Sequence, residues 1–125
     1  MHEVSVRRHF YATHQLRRYP GDADGPHRHR WEVRVTARTP EIGEFGFGLD
    51  FVVFDGWLAE TLSSLDGRFL NELEPFARLN PSAEHLASWI WRELAPRVAA
   101  QHARLARVEV HEGPRFSAVY WEGAD

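Results

Sequence analysis

The chain carries histidines at a spacing that could bind a metal ion. Residues 31–36 alternate apolar and polar side chains, which is the two-residue period of a half-buried strand. Extending that strand back to His29 and His27 puts both imidazoles on one face, because side chains at positions i and i+2 point the same way. His14 ends a second alternating stretch, and its ring joins the pair if the two stretches are neighbouring strands. Three imidazole nitrogens with a fourth position left open are the ligand set of a catalytic zinc site.

The histidine pattern alone leaves two alternatives open. A chain with 8 histidines also places them on the surface or in the core without any metal. Iron and nickel accept imidazole ligands as well, so the donor type does not by itself select zinc. Zn²⁺ is the expected metal because three nitrogens and an open tetrahedral position suit it.

The composition limits the class of protein. With 43% hydrophobic and 26% charged residues, residues 1–125 are expected to form a single globular domain. The net charge of -3 and the lack of a basic tail argue against nucleic acid as a partner. The absence of cysteine excludes disulfides, thiolate ligands and a cysteine nucleophile. No apolar stretch reaches membrane-spanning length and the first residues do not resemble a signal sequence, so we expect a cytoplasmic protein with no membrane partner.

Periodicity predicts strands at both ends of the chain and helices in the middle. The predicted strands are residues 3–14, 27–38, 105–112 and 116–122. Residues 51–65 have apolar side chains at helical spacing after Asp50 as a plausible N-cap, and a second helix opens at Asn80-Pro81-Ser82. The order ββααββ predicts an α+β fold, in which two helices pack on one face of an antiparallel four-stranded sheet.

Short motifs follow one another along nearly the whole chain. They are FYATH at 10–14, HRH at 27–29, GFGLDF at 46–51, LDGRFLN at 65–71, PSAEHLA at 81–87 and VEVHE at 108–112. In this order they resemble F-x-A-x-H, H-G-H, a glycine-led segment ending in D-F, L-D-H-x-x-L-N, P-T-x-E-N-L-A and V-x-V-x-E. Those are the motifs of 6-pyruvoyl-tetrahydropterin synthase and its bacterial relative, 6-carboxy-tetrahydropterin synthase. Each motif is weak alone, but their common order makes the resemblance specific.

The resemblance implies a fold, an assembly and a site. The fold is the tunnelling fold, in which ββααββ subunits join their sheets into rings, so the protein is expected to be a homo-oligomer, either a trimer or a hexamer, with sites between subunits. By the same resemblance, His14, His27 and His29 are the Zn²⁺ ligands. Glu112 is the carboxylate that anchors a small heterocyclic, pterin-like substrate, since a carboxylate accepts two parallel hydrogen bonds from an amidine-like edge.

The chain departs from the family at the groups that transfer protons. The family combines a cysteine, placed before the first histidine of H-G-H, with an Asp–His pair. Here the cysteine position is Ala23 and the histidine position is Gly67, which leaves Asp66 as the catalytic candidate. Asp66 could instead be a turn residue, and a loop aspartate, Asp22 or Asp24, could supply the missing carboxylate.

Two functions from different classes follow. The first is a zinc-dependent lyase or cyclase that acts on a pterin-like or related heterocycle, with chemistry altered from that of the family and a role in a specialised biosynthetic pathway. The alternative is a catalytically silent protein that binds a pterin-like or purine-like ligand at Glu112. The loss of both proton carriers, at Ala23 and Gly67, motivates the alternative.

Overall fold

The computed structural model describes residues 1–20 and 25–123. One antiparallel four-stranded sheet contains β1 (His2–His14), β2 (His27–Thr39), β3 (Arg104–Glu112) and β4 (Phe116–Tyr120), in that spatial order. Two helices, α1 (Phe51–Ser63) and α2 (Ala83–Ala99), lie in the chain between β2 and β3, with a short 3-10 helix (Leu70–Glu72) between them. The predicted ββααββ order and α+β class are confirmed.

The sheet buries one face because its strands alternate apolar and polar residues. Phe10, Trp31 and Val33 lie on the buried face and are at most 2% exposed. The helices pack on this face, and α1 adds Phe54 and Leu58 to the same core. Burying an aromatic or aliphatic side chain of this size contributes about 1.5–3 kcal/mol, so the alternation determines which face turns inward. Functional residues that share this parity also turn inward.

Side-chain caps begin both helices. Asp50 accepts a hydrogen bond from the Val52 amide at 2.8 Å, which confirms the predicted N-cap of α1. Ser82 accepts one from the His85 amide at 3.1 Å and begins α2. Each cap satisfies an amide that has no partner within the helix, which is worth about 1 kcal/mol. Among the described residues, no helix is long and apolar enough to cross a membrane.

Two elements end two residues earlier than the sequence predicts. α1 ends at Ser63 instead of residue 65, since the amides of Leu65 and Asp66 both fold back onto the Leu62 carbonyl. Gly67 then adopts a φ of 76°, a left-handed conformation that does not continue a helix. β4 ends at Tyr120 instead of residue 122, where its pairing with β3 stops.

Candidate functional site

The sheet register brings the motif residues to one end of the sheet. His14, the last residue of β1, lies opposite His27, the first residue of β2. Trp31 of β2 lies opposite Glu112, the last residue of β3, so Glu112 lies on the strand next to His29. All of these residues have the parity of the buried face. They open into a pocket of about 310 Å³, which is lined by His14, Gln15, Leu16, Tyr19, Gly25, His27, His29 and Glu112.

A compact group of donor atoms lies in this pocket. One ligand atom from each of His14, His29 and Glu112 lies within 4.8 Å of the others. The His14 ring is 6% exposed, and its Nδ1 lies 2.8 Å from the carbonyl oxygen of Pro81. A carbonyl only accepts hydrogen bonds, so Nδ1 carries the hydrogen and donates it. This bond orients the ring and directs Nε2 towards the pocket, as an outer hydrogen bond does for a metal-ligating histidine.

The short distance between His14 and Glu112 requires a proton or a metal ion between the two side chains. The Nε2 of His14 lies 3.1 Å from Oε1 of Glu112. Because Nδ1 already carries a hydrogen, a neutral ring would present its lone pair at Nε2 to a carboxylate oxygen, and two acceptors repel at this distance. Either a second proton on the ring or a metal ion resolves the repulsion. Imidazole and carboxylate donors that converge in this way fit Zn²⁺.

The environment favours the charge states that bind a cation. Burial is the main cause that lowers the pKa of the His29 imidazole, with His14 and His27 adding to the shift and Glu112 opposing it. The hydrogen bond from the His14 ring is the main cause that lowers the pKa of the Glu112 carboxyl, against burial, which raises it. At neutral pH the pocket therefore presents a neutral imidazole at His29 and an ionised carboxylate at Glu112.

His27 lines the pocket but lies outside the compact group of donor atoms. Its side chain is exposed, and its ring centroid lies 6.2 Å from that of His29. The structure thus brings two of the three predicted histidine ligands together with Glu112, and it places the third on the pocket wall. Residue spacing alone does not show that Glu112 lies beside the histidines, because that proximity depends on the register between β2 and β3, and only the family resemblance indicates it from the sequence.

Trp31 has a role in the site that the motif pattern does not assign. It is completely buried, and its ring centroid lies 4.9 Å from that of His14 and 5.7 Å from that of His29, edge to face in both cases. Its Nε1 donates to the Ala12 carbonyl at 3.2 Å, which ties the indole to β1. Trp31 therefore packs against both imidazoles and restricts their orientation. The sequence could have indicated this role, because Trp31 lies two residues after His29 and that spacing puts both side chains on one face of the strand.

A family model of 6-pyruvoyl tetrahydropterin synthase matches residues 3–123. The chain belongs to the 6-pyruvoyl tetrahydropterin synthase family. This confirms the family predicted from the motifs. No curated protein sequence matches the chain.

Solved structures, among them two 6-pyruvoyl tetrahydropterin synthases, have the same fold. The chain resembles 6-pyruvoyl tetrahydropterin synthase of Caenorhabditis elegans, with a TM-score of 0.81, 20% identity and 98% of each chain covered. An uncharacterized protein from Wolinella succinogenes also has a TM-score of 0.81, with 18% identity and 98% of each chain covered. The Plasmodium falciparum 6-pyruvoyl tetrahydropterin synthase has a TM-score of 0.77, 17% identity and 97% of each chain covered. At these identities the likeness shows the tunnelling fold.

Asp66 lies outside the pocket formed by its own chain. Its side chain is exposed, and Oδ1 accepts a hydrogen bond from the Tyr11 amide at 2.9 Å on the outer edge of β1. The next residue, Gly67, donates its amide to the Tyr11 carbonyl at 2.6 Å. The structure therefore does not bring Asp66 to the histidines of the same subunit. The other positions considered for proton transfer, Asp22, Ala23 and Asp24, lie outside the described residues.

Arg28 replaces the glycine of the family's H-G-H motif without entering the pocket. Its guanidinium carbon lies 4.7 Å from the centroid of the Tyr11 ring, on the outer face of the sheet. This is the direction that strand alternation predicts for a residue between two inward-facing histidines. The substitution therefore leaves the donor group on the inner face intact.

Proposed function

We propose that this protein is a zinc-dependent member of the family, a lyase or cyclase that acts on a pterin-like heterocycle. Its proton transfers differ from those of the family's usual reaction, which suits a role in a specialised biosynthetic pathway. The observation that carries the proposal is the convergence of His14, His29 and Glu112 at one end of the pocket. We further propose that it acts in the cytoplasm as a trimer or hexamer.

In this proposal His14, His27 and His29 hold the Zn²⁺. His14 and His29 already lie in the compact donor group, and the exposed His27, which lines the same pocket, is the third ligand in this proposal. Bound there, the metal supplies Lewis-acid polarisation of the oxygens on the substrate's side chain. The protein's part is to fix the ligands, and Pro81 and Trp31 do this for His14.

Glu112 anchors the substrate ring in the same proposal. Its depressed pKa keeps it ionised at neutral pH, so both oxygens accept hydrogen bonds. With Nε2 of His14 holding the metal, the Glu112 carboxylate would be left to accept hydrogen bonds from the substrate. An amidine-like N–H edge offers two parallel donors to such a group, and a charge-assisted pair of this kind is both strong and directional.

Asp66 is the proposed proton carrier, and it acts on the pocket of a neighbouring subunit. Its carboxylate is exposed at the sheet edge, and the bond from the Tyr11 amide to Oδ1 orients it. Within the described residues, Oδ2 makes no hydrogen bond, so it can take a proton from a substrate held by another copy of the chain. A site shared between subunits is what the family's ring assembly implies.

Turnover with and without a chelator tests the enzyme proposal. Purified protein is given 7,8-dihydroneopterin triphosphate and a panel of related pterins, with Zn²⁺ present or removed by chelation. We expect product formation from at least one pterin, its loss with the chelator, and its recovery when zinc is added back. Micromolar binding without turnover of any pterin would overturn the enzyme proposal.

Gly67 favours the second candidate, a catalytically silent binding protein. The family's histidine is absent there, and Gly67 has a φ of 76°, which most side chains avoid. A Cβ at Gly67 would meet no atom within 4 Å, so the backbone conformation and not space limits a histidine there. The double variant Ala23→Cys with Gly67→His should raise the family's usual activity if only the relay is missing. No gain would mean that the pocket has diverged as well.

A further inference from the structure

The outer edge of β1 is hydrogen-bonded at alternate residues by a segment that is not a strand. The Tyr11 amide donates to the Asp66 side chain at 2.9 Å, and the Thr13 amide donates to the Arg68 carbonyl at 3.0 Å. The same alternation continues past the end of β1, at Gln15. Alternate residues bonded along one side are the pattern of a strand edge with a partner.

Two asparagine side chains replace the partner strand beyond His14. The Asn71 amide accepts from the Gln15 N–H at 2.9 Å and donates to the Gln15 carbonyl at 2.8 Å. The Asn80 amide does the same for Arg17, accepting at 2.8 Å and donating at 2.9 Å. Of the side chains, only an amide offers both a carbonyl oxygen and an NH₂ group at its end, as a peptide unit does. Each asparagine thus satisfies both backbone groups of the residue that it faces.

The residues held in this way form one wall of the pocket. Gln15, Leu16 and Tyr19 line it together with His14. Pro81 follows Asn80 directly and accepts the hydrogen bond from the His14 ring. The segment that holds the wall therefore also orients a proposed metal ligand.

The geometry points to Asn71 and Asn80 as positioning residues of the pocket. Their amides hold the backbone from His14 to Arg17, so that His14 and the wall residues stand in one arrangement before a ligand arrives. That the ligand is pterin-like rests on the proposed function, whereas the arrangement of His14 and the wall does not depend on it. Neither asparagine touches the substrate, and both act through the backbone that they bind.

The test uses Asn71→Ala, Asn80→Ala and a control in the full-length protein. Val98→Ala is the control, because Val98 is completely buried near the end of α2, about 22 Å along the helix from Ala83, and its truncation lowers stability without touching the pocket. Hydrogen exchange of the Gln15 and Arg17 backbone amides measures whether the asparagine side chains still hydrogen-bond to them. The Kd for 7,8-dihydroneopterin triphosphate and the visible spectrum of bound Co²⁺ measure its effect on the pocket.

We expect slow exchange at both amides in the wild type and fast exchange at the released amide in each asparagine variant. The Kd should rise on the order of tenfold, because the released backbone would relax to bind water in the free protein and would have to give up that water when the ligand binds, at a cost of that order. The Co²⁺ spectrum should shift as well, while Val98→Ala changes none of these quantities. Released amides with an unchanged Kd and an unchanged Co²⁺ spectrum would overturn the inference.

Failure of the proposed function gives a different result. If the wild type binds no pterin, the proposed substrate class is wrong, and the Co²⁺ spectrum then decides the inference by itself. A spectrum shared by the wild type and both asparagine variants overturns it, and a shifted spectrum supports it. If an alanine variant does not fold, the aspartate variant at the same position takes its place, because it keeps the acceptor and loses the donor.

Discussion

Glu112 and Glu3 lie at opposite ends of one sheet, and both carboxyls have lowered pKa values for different reasons. At Glu3 the main cause is a hydrogen bond from Arg38, at 3.0 Å, and Arg107 adds a second contact at 3.3 Å. At Glu112 the main cause is a hydrogen bond from the buried imidazole of His14. An arginine is always protonated, so the charge of Glu3 is balanced within the protein at any ordinary pH.

The difference lies in whether the cation beside the carboxylate can be exchanged for another. The imidazole beside Glu112 is a cation only while it holds a second proton, so a metal ion or a cationic substrate edge can take the place of that proton. Arginine offers no such exchange. Where a carboxylate on a sheet faces histidines in a pocket, its partner is exchangeable, and we interpret exchangeable partners as the mark of a binding site.

Removing a histidine should have the largest effect. We expect His27→Ala and His29→Ala each to weaken zinc binding by more than about 100-fold, because outer hydrogen-bond partners alone are worth 10–100-fold. Elemental analysis of the purified variants measures this, with Glu3→Gln as the control that keeps zinc. If His27→Ala keeps stoichiometric zinc and Glu112→Ala loses it, the carboxylate is the third ligand and the three-histidine assignment is wrong.

The next effect concerns Asp66 and proton transfer. Asp66→Asn keeps an oxygen that accepts from the Tyr11 amide but cannot carry a proton at neutral pH. We expect kcat to fall by about 100-fold or more, as for loss of a general acid or base, with the thermal midpoint unchanged. The matched control is Asp55→Asn, which removes the charge of a carboxylate paired with Arg8 and should leave kcat unchanged. An unaltered kcat in Asp66→Asn would show that Asp66 does not transfer protons and only accepts the hydrogen bond from the Tyr11 amide.

Neutralising Glu112 should act on the ligand and not on the metal. Glu112→Gln keeps the shape of the side chain and removes its charge. We expect the Kd for a pterin to rise about 10–100-fold, the range for a lost charge-assisted hydrogen bond, with zinc content unchanged. Calorimetric titration measures the Kd of Glu112→Gln, with Glu3→Gln as the control. Equal Kd values in the two variants would show that Glu112 contributes no more to ligand binding than Glu3 does.

Glu3→Gln itself should have the smallest effect. A carboxyl with a depressed folded-state pKa contributes stability above its unfolded value, and this contribution is lost as the pH falls through the folded value. We therefore expect a slightly lower urea midpoint than wild type at pH 7, and no difference once the pH has fallen from 4.5 through the depressed pKa of Glu3. Because the pair is exposed, about 1 M salt should reduce the difference at pH 7. A difference that persists at low pH would show that packing, and not charge, is responsible.

Local patterns in the sequence predict most of the fold. Period-two alternation locates the strands, and Asp50 predicts where α1 begins, because caps and periodicity depend on residues a few positions apart. The predicted opening at Asn80-Pro81-Ser82 locates the second helix only to within a few residues, since α2 begins at Ala83 after Ser82 as its N-cap. The parity of His27 and His29 correctly puts them on one face, since it depends only on strand geometry. α1 and β4 end two residues earlier than the pattern predicts, because their ends depend on turn and ladder contacts instead.

The sequence by itself determined the element order, the inward face of each strand, the family and the candidate donors. Only the tertiary structure decided that Glu112 lies beside His14, that Asp66 lies outside its own pocket, and that Asn71 and Asn80 bond to the backbone past β1. These contacts join residues 55 to 98 positions apart in the chain, or pair side chains with backbone across a loop. They follow from sheet register and loop path, which no local pattern of residue types encodes.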